Sequence, residues 1–190
     1  VLRTNMFTSG LEVLKDNLNR QMYDLKFFEF GKTYFSINNQ YIEKEKLTIF
    51  SCGLFKGGSW AEHSKDTDFF LMKGVVAKLL DKFSLNASSF QLKELKTTYS
   101  DLGLLYYSKD EKLNQSIIEI GLFSGDLLKK LGIKKSVYYI DINMNLLIQY
   151  IKMNDIQYKA VSKFPYVKRD LSLLVDKAVL YVDIENEIQE

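Results

Sequence analysis

Leu25-Lys-Phe-Phe-Glu-Phe-Gly-Lys-Thr-Tyr34 is the stretch whose reading decides the fold. Leu25 and Phe27 point to one face of a strand, Phe28 and Phe30 to the other. A strand apolar on both faces is expected inside a sheet, covered on both sides. Glu29 interrupts it, and a carboxylate there must be paired or must line a cleft. Upstream, Leu11, Leu14 and Leu18 recur at helical spacing, with Asn17, Asn19, Arg20 and Gln21 on the wet side. Ser9 and Glu12 have the spacing of a capping box, so the helix is expected to begin near Ser9. A helix therefore feeds the decisive strand.

Working outward, Asn38-Asn39-Gln40 is a short polar connection into a second apolar run, Leu47–Phe55. So short a gap predicts an antiparallel hairpin. Lys56-Gly57-Gly58-Ser59 breaks the chain. Asp66, Thr67 or Asp68 can cap a helix striped by Phe69, Met72, Val76, Leu79 and Phe83. Gly74 inside it predicts a close packing contact, since glycine costs about 1 kcal/mol against alanine there. Phe90–Leu95, Leu104–Tyr107 and Ser116–Phe123 read as an antiparallel meander joined at Ser100-Asp101 and Lys109-Asp110-Glu111. Ser124 opens a short helix, Leu127–Leu131, and Gly132 closes it. Val137–Ile142 reads as a strand, and Asn143 caps a helix striped by Leu146, Leu147, Tyr150 and Ile151. Pro165 marks a boundary, followed by a strand at Leu171–Val175 and a helix at Val182–Ile188. Clustered strands with inserted helices make an α+β layout on a largely antiparallel sheet.

Composition narrows the function. The 190 residues suffice for one core and part of a second. The hydrophobic share of 46% and charged share of 26% are ordinary for a globular protein. A net charge of +2 does not by itself argue for nucleic acid. A single cysteine, Cys52, excludes an internal disulfide and fits a reducing cytosol, and it reads as core. A single histidine, His63 in a polar loop, excludes a histidine cluster around zinc. No run is apolar enough to span a bilayer. The Val1 start and the helical end read as a piece of a longer chain.

Glycine stands within three strands, at Gly31, Gly53 and Gly121. Phe28-Glu-Phe-Gly31 and Ile118-Glu-Ile-Gly121 share a pattern that puts Glu29 with Gly31, and Glu119 with Gly121, on one strand face. Such glycines mark a bulge or a close approach of backbone or ligand. Two readings stay open: a ligand floor on the sheet, and helix packing over small residues beside a surface carboxylate, with the weight on the second. Lys56-Gly57-Gly58 lacks the spacing of a phosphate-binding loop. Lys129, Lys130, Lys134 and Lys135 share their element with Leu127, Leu128 and Leu131 and read as a solvated face. Lys163, Lys168 and Arg169 flank Pro165, partly offset by Asp170. The residues alone show no catalytic set.

Four stretches together carry a resemblance. Leu2-Arg-Thr…Leu11…Asn17-Leu-Asn-Arg20, with Leu25…Phe28-Glu-Phe-Gly-Lys32, resembles "LRTSLLPGLLE…NLNR…LFEIGRVF". Leu47…Gly53…Trp60…Asp68-Phe-Phe…Lys73-Gly74 resembles "G…W…DFFDLKG". Ile120-Gly121…Leu127-Leu128 resembles "IG.LHP.V", with Ser124-Gly125 in place of "HP". Phe164-Pro-Tyr-Val-Lys-Arg-Asp-Leu-Ser-Leu-Leu-Val-Asp176 resembles "FPAVRRDLALVVD". In this order they resemble the β chain of bacterial phenylalanyl-tRNA synthetase.

The resemblance implies a class II synthetase antiparallel sheet flanked by helices over residues 1–160. Residues 161–190 would be the truncated start of a ferredoxin-like anticodon-binding domain. It also implies a non-catalytic module, with no catalytic, cofactor-binding or metal-binding residue in this stretch. The arginine that would grip the ATP α-phosphate falls at Phe35, and the late nucleotide-stacking arginine at Asn145. No arginine lies between Arg20 and Arg169. Losing both cations leaves the phosphates without neutralisation during adenylate formation. The implied partners are the catalytic α subunit and tRNA(Phe), with ATP and magnesium serving the whole cytoplasmic ligase and no membrane involved. An independent ligand-binding module, with Glu29 and Glu119 lining a pocket, is the alternative.

Overall fold

The computed structural model describes residues 2–57, 60, 63–109, 115–153 and 167–176, with single positions 179, 181, 184, 187 and 188. The chain divides into two compact units, residues 1–156 and 157–190.

In the first unit, helix α1 (Phe7–Asn19) leads into strand β1 (Leu25–Ile37). Asn5, not Ser9, caps α1: its Oδ1 accepts the N–H groups of Phe7 and Thr8 at 3.0 and 3.2 Å. Ser9 lies inside the helix and donates to the Met6 carbonyl. Strand β1 turns through Asn38 and Asn39, both at positive φ, into β2 (Gln40–Cys52). That two-residue turn matches the right-handed twist of the hairpin it joins. Gly53, at φ +75°, breaks the second strand, and β3 (Leu54–Lys56) and β4 (Lys65–Asp66) form a small separate pair. Helix α2 (Phe69–Lys82) is capped by Asp68, whose Oδ1 accepts from Leu71 N–H at 2.6 Å.

A meander follows: β5 (Phe90–Glu94), β6 (Ser100–Ser108) and β7 (Ser116–Phe123). Ser100 and Asp101 belong to β6 and are not a turn. Asp110 and Glu111, expected in the next turn, lie outside the described residues. Ser124 caps α3 (Gly125–Leu131), and Gly132 at φ +77° ends it. Strand β8 (Val137–Asn143) precedes α4 (Met144–Met153), whose Leu146 N–H is held by Asn143.

The six-stranded antiparallel sheet has the order β1-β2-β8-β7-β6-β5. The late strand β8 inserts between the first hairpin and the meander, so β1 sits at the edge. This corrects the expectation that β1 is interior. Its ladder partner is β2, and Phe28 and Phe30 are 65% and 63% exposed, ring edge to ring face. Doubly apolar patterning states only that a second face is available for cover, and within this unit that cover is absent at Phe28 and Phe30.

Both sides of the sheet carry a core. On one, α2 and α4 bury Met72, Val76, Leu80, Leu147 and Tyr150 against Leu47, Ile118, Ile120, Ile140 and Ile142. On the other, α1 and α3 bury Leu11, Leu14 and Leu128 against Phe50, Cys52, Phe123, Val137 and Tyr139. Gly10 lets α1 lie on the Phe50 ring, where an added Cβ would come within 2.1 Å of it. Gly74 makes no such contact: a Cβ there meets nothing within 4 Å, which overturns the close-packing expectation.

In the second unit, Leu171–Val175 forms no strand. These residues are exposed, and no described strand pairs with them. A strand persists only where its backbone groups find a ladder partner. The helix expected over Val182–Ile188 shows helical backbone at Tyr181, Ile184, Glu187 and Ile188. Lys163, Phe164 and Pro165 lie outside the described residues.

Candidate functional site

The α1/α3 side of the sheet carries a row of polar groups. At the edge, Arg3 reaches over β1. Its Nη1 donates to Glu29 Oε1 and its Nε to the Lys32 carbonyl at 3.0 Å. Its own carbonyl accepts Tyr34 N–H at 2.9 Å. Ser9 Oγ adds a 3.3 Å bond to Glu29 Oε2. Glu29 is therefore paired. Gly31 is the notch that admits this side chain, since a Cβ would sit 1.8 Å from Arg3 Nη2.

In the middle, Asp141 on β8 accepts from Lys46 Nζ and from Thr48 Oγ1, the latter at 2.6 Å. Glu119 on β7 lies directly across from Asp141. Glu119 Oε1 receives two phenol hydroxyls, Tyr139 at 2.7 Å and Tyr99 at 3.0 Å. Gly121 admits the Tyr139 ring, with a Cβ placed 2.4 Å from its Cζ and hydroxyl oxygen. Phe7 from α1 packs on Tyr99, Phe123 and Tyr139 and closes the cluster.

The electrostatics follow from this packing. Burial pushes the Glu119 carboxyl up; the Tyr139 and Tyr99 hydrogen bonds and Lys46 pull it back, while Asp141 adds to the rise. Burial, then the neighbouring Glu119 charge, drives both Tyr139 and Tyr99 well above the usual phenol range. Burial also raises the Cys52 thiol, which points at the Tyr23 carbonyl in the core.

Of the expected floor residues, Glu29, Gly31, Glu119 and Gly121 share this side of the sheet, and side chains of the same chain fill both glycine notches. Gly53 does not join them. It stands at the end of β2, where Tyr23 and Asp24 pack against it and Asp24 Oδ1 holds Leu54 N–H at 2.8 Å. Asn145 serves structure: its Oδ1 accepts Glu45 N–H at 2.7 Å and ties α4 to β2. Phe35 lies under Lys44 Nζ, 5.6 Å from the ring centroid. The sequence reading missed Arg3, Lys46 and Asp141. Asp141 is legible only once β8 is known to pair with β7 and β2. Between α1 and α3 runs a cleft of about 520 Å³ lined by Phe7, Leu11, Tyr99, Phe123, Leu127 and Leu131. No group of three or more metal-ligating side chains occurs among the described residues.

Residues 1–144 match the family model of the phenylalanyl tRNA synthetase beta chain CLM domain. The chain belongs to the phenylalanyl-tRNA synthetase β-chain family. The phenylalanine–tRNA ligase β subunits of Bacteroides thetaiotaomicron and Thermotoga maritima are 32% and 33% identical to it, each over 97% of this chain. The chain spans 23% and 22% of their respective lengths. Among solved structures, pyrrolysyl-tRNA synthetase of Desulfitobacterium hafniense superposes with a TM-score of 0.59 at 12% identity. That match covers 80% of this chain and 50% of the other, so the β-chain module has the fold of a class II synthetase domain. No helix among the described residues is long and apolar enough to cross a membrane.

Proposed function

We propose that this β-chain module is a non-catalytic scaffold of a cytoplasmic phenylalanine–tRNA ligase. It pairs with the catalytic α subunit and helps position tRNA(Phe), while the α subunit uses ATP and magnesium to activate phenylalanine. One observation carries the reading: Arg3, over the edge strand, and Lys46, in the middle of the same sheet face, are ion-paired to the chain's own Glu29 and Asp141. An adenylating face needs cations left over for the phosphates as charge develops. Here Arg3 and Lys46 are taken up by internal pairs, and Phe35 and Asn145 stand where the resemblance would put arginines. On this reading residues 161–190 are the truncated start of the next, ferredoxin-like domain of the β chain.

Co-expression of the full-length β chain with its α subunit tests this. Stable association and tRNA-independent pyrophosphate exchange by the pair, with none by β alone, are expected. Exchange by β alone refutes the scaffold reading.

The cleft between α1 and α3 favours a second reading, a stand-alone module that binds a small ligand with an aromatic or aliphatic body. Calorimetry with phenylalanine separates the two, since the scaffold reading expects no heat.

A further inference from the structure

We propose that the cleft at the C-terminal end of α3 docks the phosphate backbone of the tRNA on which the ligase acts. The proposal rests on the ligase reading above and adds the surface through which this module touches RNA.

The sequence places Lys129, Lys130, Lys134 and Lys135 close together, and the fold turns that spacing into a surface. Lys129 and Lys130 occupy the last turn of α3. Gly132 reverses the chain, and Ile133, 3% exposed with its N–H on the Leu128 carbonyl, anchors the return. Lys134 and Lys135 therefore leave from the same end as the helical pair. Lys129, Lys134 and Lys135 line a cleft of about 480 Å³ together with Gly132 and Ser136. Asp101 is the carboxylate on its wall, and its Oδ2 accepts Gly125 N–H at 2.9 Å.

The charges there are uncommitted. Lys32, Lys46 and Lys96 each have a carboxylate partner. Lys129, Lys130 and Lys134 are exposed and have no ion-pair partner among the described residues. Lys135 is held in place over the Tyr23 ring, Nζ 5.1 Å from its centroid, with its charge still available. The α3 dipole accounts for lysines in its last turn but not for the two beyond Gly132. Clustered exposed ammonium groups complement a polyphosphate backbone, and each contact releases counterions.

The test uses the full-length β chain in complex with its α subunit and labelled tRNA(Phe), titrated between roughly 50 and 300 mM salt. The triple variant Lys129→Ala, Lys130→Ala, Lys134→Ala should weaken binding about tenfold near 0.1 M salt and flatten the logarithmic salt slope by about 2 to 3. Its tRNA-independent pyrophosphate exchange and melting temperature should stay unchanged, and the matching Lys→Arg triple should bind as the unsubstituted ligase does. Unchanged affinity and slope overturn the proposal while leaving the ligase reading intact. Loss of α-subunit association with tRNA binding retained also overturns it, because the surface would then face protein. Failure of the unsubstituted pair to bind tRNA would sink the ligase reading itself.

Discussion

Tyr139→Phe removes one hydroxyl and leaves the ring that fills the Gly121 notch. The lost bond is the 2.7 Å donation to Glu119 Oε1, which keeps only the 3.0 Å bond from Tyr99. Hydrogen bonds to charged groups contribute about 1.5–3 kcal/mol. Glu119 is only partly buried, so a cost of about 2 kcal/mol is expected, a fall in Tm of about 4–8 °C for a unit of this size. The pH dependence has a definite sign. Burial already holds the Glu119 carboxyl above its unfolded value, and removing a bond that favours its charged form raises it further. A carboxyl raised on folding is fully compatible with the fold below its unfolded pKa, and it opposes folding as pH rises through its folded pKa. The extra cost in Tyr139→Phe is therefore largest near pH 7.5. Near pH 4 it should shrink to about 1 kcal/mol or less, because a protonated Glu119 takes only a neutral hydrogen bond. Urea melts at the two pH values read this directly. A cost independent of pH, or one below about 0.5 kcal/mol at pH 7.5, refutes the argument.

Further outcomes follow from the same packing. Gly121→Ala drives a methyl to 2.4 Å from the buried Tyr139 ring and should destabilise the module by about 1–3 kcal/mol in chemical denaturation. Gly74→Ala adds a methyl where nothing lies within 4 Å and should raise stability by about 0.5–1 kcal/mol, read as a higher urea midpoint at unchanged slope. Phe28→Ser with Phe30→Ser should leave the melting temperature of the isolated chain within a degree or two, read by thermal melts, because both rings are exposed on an edge strand and bury little on folding.

Elements with strong local signals were legible in the sequence. The Asn38-Asn39 turn, a cap within Asp66–Asp68, the Ser124 and Asn143 caps, the Gly132 stop and the β5–β7 meander each follow from a few adjacent residues, while the choice of Asp68 among its neighbours came only with the structure. Strand order was not. Whether β1 is central or at the edge depends on β8 pairing with β2 across 93 residues, as in the bond from Thr48 to Asp141, and no local pattern encodes that. The candidate floor residues were singled out through their glycines, and what those glycines do depends on what fills the notches. At Gly31 the filler is Arg3, and at Gly121 it is Tyr139. The start of α1 was misplaced because Ser9–Glu12 mimics a capping box while Asn5 makes the bonds.

The account rests on a sheet face where Arg3 and Lys46 are consumed by the chain's own Glu29 and Asp141. Titrating magnesium-ATP into the isolated chain by calorimetry tests that most directly. No saturable heat is expected at nucleotide concentrations up to the millimolar range. Saturable binding that Lys46→Ala abolishes would contradict it, since it would mean that Lys46 leaves Asp141 to grip phosphate.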